Sequence, residues 1–142
     1  MRDSPGYWTG SPFASLLTSG FRVALEQQQR ITFTAVTSVA QAYSAAIAGA
    51  EFIIPYYGRL ERSGIDASER IAEMADLLHN AHLPTRILAA SIKSPEDATR
   101  ALLAGAHDLT VAPQVLMDMI TDPLTEEAIE RFTQDWQMLN KL

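Results

Sequence analysis

Apolar positions along the chain alternate between two rhythms, and the alternation predicts strands and helices in turn. Residues 1–10 mix Gly, Pro, Ser and aromatic side chains without a period and read as an arm. Ser11 and Pro12 then offer an N-cap and a first-turn proline, and Leu16, Leu17, Gly20, Phe21, Ala24 and Leu25 follow at helical spacing. The run ITFTAV from Ile31 to Val36 is β-branched and aromatic, the composition of a buried strand. Ser38 caps a small-residue helix through Ala48, and Gly49 stands where a helix stop is wanted. A second strand runs from Phe52 to Tyr56. A helix from Ala67 to His79 carries Ile71, Met74, Ala75 and Leu78 on one face, until Pro84 breaks the pattern. RILAAS, from Arg86 to Ser91, is a third strand. Ser94-Pro95-Glu96-Asp97 matches a capping box that opens a helix to Ala104, and a fourth strand spans Asp108 to Ala112. A short helix from Pro113 to Ile120, a break at Pro123 and a last helix from Thr125 to Asn140 complete the reading. On that last helix Ile129, Phe132, Trp136 and Leu139 form an apolar stripe, expected to pack in the core or, on a second reading, at an interface.

An internal repeat sets the fold class. Ala48-Gly49-Ala50, at the end of an Ala-rich helix and just before an apolar strand, is echoed by Ala104-Gly105-Ala106 in the same setting. One further strand and helix separate the copies, which is the pitch of two βα units. Strands alternating with helices in this way predict an α/β architecture with a parallel sheet covered by helices. Four strands are present, whereas a closed eight-stranded barrel takes roughly 200 residues or more. The expectation is therefore part of a TIM-type (β/α)8 barrel, within a single domain over 1–142 whose first 30 residues form a divergent arm and helix.

Charge and composition then remove whole classes of function. With 11 Lys+Arg against 17 Asp+Glu the net charge is -6, and no basic stripe offers a surface for nucleic acid or an anionic membrane. Cysteine is absent, which removes disulfides and thiolate chemistry. No apolar run approaches the ~20 residues that span a bilayer, and the N-terminus has no leader-like apolar core. A soluble, cytoplasmic protein is expected. His79 and His82 stand three apart without a Cys or carboxylate to complete a metal motif, and His107 follows a helix end, where a partly cationic ring is favourable. No metal and no cofactor are called for.

Thr34-Ala35-Val36 followed by Gln41, the segment Ala48-Gly49-Ala50 through Ile54-Pro55-Tyr56-Tyr57-Gly58-Arg59-Leu60, Leu88 through Ser94, Leu103 through Ala106, and Phe132 through Asp135-Trp136 occur in an order and spacing that resemble the transaldolase family, in particular its short fructose-6-phosphate aldolase-like branch. The resemblance covers about Thr32 to Trp136 and implies that these strands are the last four of the barrel. It implies that Thr34 helps to hold a catalytic water and that Tyr56 is a proton-transfer partner. It gives Arg59, Ser91 and Lys93 to the substrate phosphate, a task suited to a guanidinium fork, a hydroxyl and an ammonium at C-terminal strand ends. Without the resemblance, Thr34 is a β-former, Tyr56 and Tyr57 are packing aromatics, and Arg59 pairs with Glu61 or Asp66.

Three departures from the family accompany the match. The Schiff-base lysine of its Lys-x-Pro motif aligns with Gly10 in Gly10-Ser11-Pro12, so the proline is kept and the lysine is not. The family's strand-one aspartate and strand-three polar residue fall before Met1. Ile54 stands where relatives carry a small Ala or Ser beside the substrate. The expected protein is transaldolase-like, of carbohydrate metabolism, able to bind a sugar phosphate but without independent aldol transfer. The other readings are a non-catalytic assembly or phosphate-binding protein, and an aldolase active only when another chain supplies the first strands. The inward faces of the four strands would expose apolar surface, and with open strand edges this predicts a homo-oligomer.

Overall fold

The computed structural model describes residues 12–27 and 29–140, and the arm at 1–10 and the Ser11 cap lie outside the described residues. Four strands, β1 (Ile31–Thr34), β2 (Ala50–Ile54), β3 (Arg86–Ile92) and β4 (Asp108–Val111), form one sheet in the order β1-β2-β3-β4. Every pairing is parallel. Between and around them run α1 (Pro12–Gln27), α2 (Val39–Ile47), α3 (Tyr57–Arg62), α4 (Ala67–Asn80), α5 (Pro95–Leu103), α6 (Pro113–Ile120) and α7 (Pro123–Leu139). The architecture is that of part of a TIM-type barrel, and the sheet is not closed. Among the described residues β1 pairs only with β2, and β4 only with β3.

Local chemistry explains most element boundaries. Ser38 accepts from the Gln41 N–H while the Gln41 side chain accepts from the Ser38 N–H, a reciprocal capping box that opens α2. Ser94 accepts from the Asp97 N–H to open α5, with Pro95 in its first turn. The Ala-Gly-Ala repeat has a backbone cause. Gly49 at φ 86° and Gly105 at φ 101° both sit in the left-handed region, where a side chain is strained, and each turns an Ala-rich helix into the next strand. Gly105 also lies so close to α4 that a Cβ there would come within 2.7 Å of the Ala75 methyl. Replacing Ser38 by Ala should cost about 1 kcal/mol. Thermal denaturation should show a melting temperature lower by roughly 2–4 °C; no change would mean that the hydroxyl does not hold the turn.

The two faces of the sheet differ. Phe33, Ile53 and Ile87 are joined by the strand register, are buried, and face the helices. Around them pack Ile71, Met74 and Leu78 of α4, Tyr57 and Leu60 of α3, and the small residues Ala42, Ala45 and Ala46 that let α2 lie close to the sheet. The opposite face holds Thr32, Thr34, Phe52, Ile54, Arg86, Leu88 and Asp108, by the alternation of a strand. It is mixed in character rather than the apolar patch expected. The Arg86 guanidinium lies 5.2 Å from the centre of the Phe52 ring and pairs with the Asp108 carboxylate at 2.8 Å.

Three further differences from the sequence expectation stand out. Helix α3 is unforeseen, because its six residues contain Tyr and Gly, both poor helix formers, and its N-cap Tyr56 supplies no side-chain acceptor. It forms because Tyr57 and Leu60 bury their side chains, and the Tyr57 hydroxyl meets the Ser68 hydroxyl at 2.8 Å. Pro123 begins α7 rather than breaking the chain before it, since Asp122 caps the first-turn N–H groups of Leu124 and Thr125. Finally, the stripe on α7 is not core. No residue of α7 is buried, and Phe132 and Trp136 are 70% and 66% exposed.

Candidate functional site

The residues singled out for chemistry gather at the C-terminal ends of β1, β2 and β3. Thr34 is the last residue of β1, and its hydroxyl lies 2.7 Å from the Tyr56 hydroxyl, just beyond the end of β2. Tyr56 is held in line by a parallel bridge to Ala90, whose N–H donates to the Pro55 carbonyl at 2.9 Å. From α3, the Arg59 guanidinium sits over the Tyr56 ring at 4.6 Å from its centre. This stacking replaces the surface pairing that Arg59 could have made. Glu61 instead accepts from the Ala67 N–H, and Asp66 caps α4 through the Glu69 N–H. Ile54, paired in register with Thr34, stands beside this cluster on the same face.

Gly58 brings the third strand end into the group. A Cβ built there would lie 2.6 Å from the Ser91 carbonyl oxygen, 3.1 Å from the Ser91 hydroxyl and 3.4 Å from Cγ of Lys93. Only a glycine lets α3 approach β3 this closely, and the approach puts Ser91 and the stem of Lys93 one position from Arg59 along the chain of contacts. Asp97 accepts from the Lys93 N–H at 3.1 Å, which fixes the turn out of β3. Ala35 (φ 58°) and Ser91 (φ 61°) both occupy the left-handed region although neither is glycine. Such backbone costs on the order of 1–3 kcal/mol and concentrates where a fold has to aim particular groups. The end of β1 is also tied to α4, since Arg70 donates to the Thr37 carbonyl at 3.0 Å.

Two of the three histidine rings have structural partners. The His82 ring meets the His79 carbonyl at 3.0 Å in a local turn, and Nδ1 of His107 accepts from the Ile87 N–H at 3.1 Å. No group of three or more His, Cys, Asp or Glu side chains suited to a metal exists among the described residues. Gly58 and the strained Ala35 and Ser91 were not legible beforehand. A glycine inside Tyr-Tyr-Gly-Arg reads as a turn, and only the approach of β3 reveals its role.

A model of the family described as Transaldolase/Fructose-6-phosphate aldolase matches residues 19–142. The chain belongs to this family. A protein named "Probable transaldolase" from Desulforudis audaxviator is 44% identical over 112 residues, covering 79% of this chain and 52% of that one. One of the same name from Alkaliphilus metalliredigens is 40% identical over 116 residues, covering 82% and 54%. The chain thus spans about half the length of the curated relatives it matches. A crystal structure of a Pediococcus acidilactici lactate oxidase superimposes with a TM-score of 0.53 at 18% identity, covering 66% of this chain and 26% of that one, a likeness of fold alone. No helix among the described residues of this transaldolase-family chain is long and apolar enough to cross a membrane.

Proposed function

We propose that the chain carries the phosphate-gripping and proton-handling part of a transaldolase-type sugar-phosphate site, and that it has no aldol transfer of its own. Two observations support this reading: Gly58 lets α3 lie against Ser91 and the Lys93 stem at the end of β3, and the neighbouring Arg59 stacks over Tyr56, whose hydroxyl meets that of Thr34. A guanidinium, a hydroxyl and an ammonium carried on neighbouring strand ends are the groups that suit a phosphate dianion, which takes charge-assisted hydrogen bonds from several sides. Stacking on Tyr56 holds the Arg59 fork in place before a ligand arrives. The hydroxyl pair can hold a water or pass a proton to a sugar carbonyl or hydroxyl oxygen. The step this reading leaves out is covalent capture of the sugar carbonyl, because the resemblance puts Gly10, outside the described residues, where the family carries the lysine that performs it.

Ligand-induced stabilisation tests the reading. Inorganic phosphate or fructose 6-phosphate at 100 times its Kd should stabilise the fold by about 2.7 kcal/mol, which is a rise in melting temperature of roughly 5–10 °C. The Arg59→Ala and Lys93→Ala variants should each lose most of the shift. An undiminished shift in both would place the anion elsewhere.

A further inference from the structure

Thr37, the residue before the α2 N-cap, is held by side chains from two helices. Its N–H donates to Oε1 of Gln41 at 2.9 Å and its hydroxyl to the same atom at 3.1 Å, with the Ser38 N–H joining them at 3.2 Å. Its carbonyl accepts from the Arg70 guanidinium at 3.0 Å, a bond that reaches across 33 residues of sequence from α4. Nε of Arg70 is buried and lies 3.0 Å from a Glu73 carboxylate oxygen, an ion pair that lacks the alignment of a hydrogen bond. A guanidinium steadied by a carboxylate and aimed at a backbone carbonyl makes a charge-assisted bond. Its base is firm, because Ile71, Met74 and Leu78 anchor α4 in the core.

The grip on Thr37 bears on the strand end just before it. Thr34 closes β1 and is exposed, and its hydroxyl lies 2.7 Å from that of Tyr56. The chain then leaves the sheet through Ala35 at φ 58°, a conformation that a non-glycine residue keeps only where its surroundings hold it. On one side Thr34 is in register with Ile54. On the other, Val36 is buried with its N–H on the Ile54 carbonyl at 3.3 Å, and Thr37 is clamped by Gln41 and Arg70. Release of Thr37 lets Ala35 relax, and that relaxation turns the end of β1 with the Thr34 side chain on it. Tyr56 is fixed independently, by its bridge to Ala90 and the Arg59 stack.

We infer that Arg70 is a positioning residue for the Thr34–Tyr56 hydroxyl pair: by gripping Thr37 it holds the left-handed turn at Ala35 and keeps the Thr34 hydroxyl in bonding distance of Tyr56. The role assigned to Arg70 rests on the reading of that pair as the proton-handling part of the site. Proton transfer requires hydrogen-bond contact, so a residue on α4 that touches no ligand governs whether the pair can act.

Solution NMR of the chain labelled at tyrosine Cζ tests the inference. Tyr56→Phe and Tyr57→Phe identify the two signals, and Thr34→Val gives the Tyr56 signal without its hydroxyl partner. In Arg70→Met, which keeps the stem and removes the donors, the Tyr56 signal should move most of the way to its Thr34→Val position. The Tyr57 signal should stay, since the Tyr57 hydroxyl meets Ser68 of α4 at 2.8 Å and reports any general disturbance of that helix. Arg70→Lys, which keeps a cationic donor, should bring Tyr56 back toward its parent position. In the parent itself the Arg70 Nη protons should exchange slowly with water, a measurement that decides the matter even where Arg70→Met fails to fold. An unmoved Tyr56 signal, a Tyr57 signal that moves with it, or a freely exchanging Arg70 guanidinium would each overturn the inference. The anion grip is read separately. Arg59, Ser91 and Lys93 sit on α3 and at the end of β3, so the phosphate-dependent rise in melting temperature should persist in Arg70→Met, and its loss there would also count against the positioning role. A parent without that rise overturns the sugar-phosphate reading, whereas the Tyr56 signal judges Arg70.

Discussion

Treated with fructose 6-phosphate or dihydroxyacetone and then borohydride, the chain is expected to keep its intact mass. Schiff-base chemistry needs a neutral amine, obtained by desolvation or by a cationic neighbour. The sequence holds two lysines, Lys93 and Lys141. Lys141 lies outside the described residues, and Lys93 is exposed, with its stem laid along Gly58. Its place at the end of β3 suits it to a phosphate. The proposed lack of a nucleophile carries a large expected effect on turnover, because removing the nucleophile from a catalytic group costs on the order of a millionfold in rate. Intact-mass spectrometry reads the adduct, and a coupled assay reads turnover against one of the longer curated relatives. A stable adduct mapped to Lys93 would show that its neutral amine acts as the nucleophile, and the proposed division of labour would fall.

Replacing Gly58 by Val should both destabilise the protein and abolish its response to phosphate. The new Cβ would sit 2.6 Å from the Ser91 carbonyl oxygen, a contact with backbone that no rotamer change relieves. Ser91 cannot retreat freely, because its own backbone is held at φ 61° and the next turn is fixed by Asp97. Forcing α3 away from β3 costs about 3 kcal/mol by the usual scale of overpacking, and the melting temperature should fall by roughly 6–12 °C. Ala at the same position keeps the clash but recovers up to about 1 kcal/mol of helix propensity, so its loss should be smaller. In both variants Arg59 moves away from Ser91 and Lys93, and the anion-dependent shift should vanish even where the fold survives. A Val variant with the melting temperature and phosphate response of the parent would mean that α3 and β3 do not approach as described.

Helix starts and stops were legible in the chain because they depend on neighbours in sequence. Ser38 with Gln41, Ser94 with Asp97 and the two Ala-Gly-Ala stops each act over three or four residues, and all occur where the pattern placed them. The alternation of strands and helices followed from the same local signals, and with it the parallel sheet. Helix α3 escaped because its stability is not local. Tyr57 and Leu60 are helical only because α4 and the sheet bury them, and Gly58 is required only because β3 comes up against it.

What the sequence determined by itself was the series of elements and the family, since propensity, capping and motif spacing are properties of short stretches of chain. The tertiary structure decided which side chains meet. Thr34 and Tyr56 are 22 residues apart and bond because β1 and β2 lie side by side, and Arg86 neutralises Asp108 because β4 pairs with β3. It also decided the state of the apolar stripe on α7. Periodicity announces that such a stripe wants a covering surface, but whether that surface belongs to the same chain depends on how many strands the sheet contains, and here four strands leave it bare.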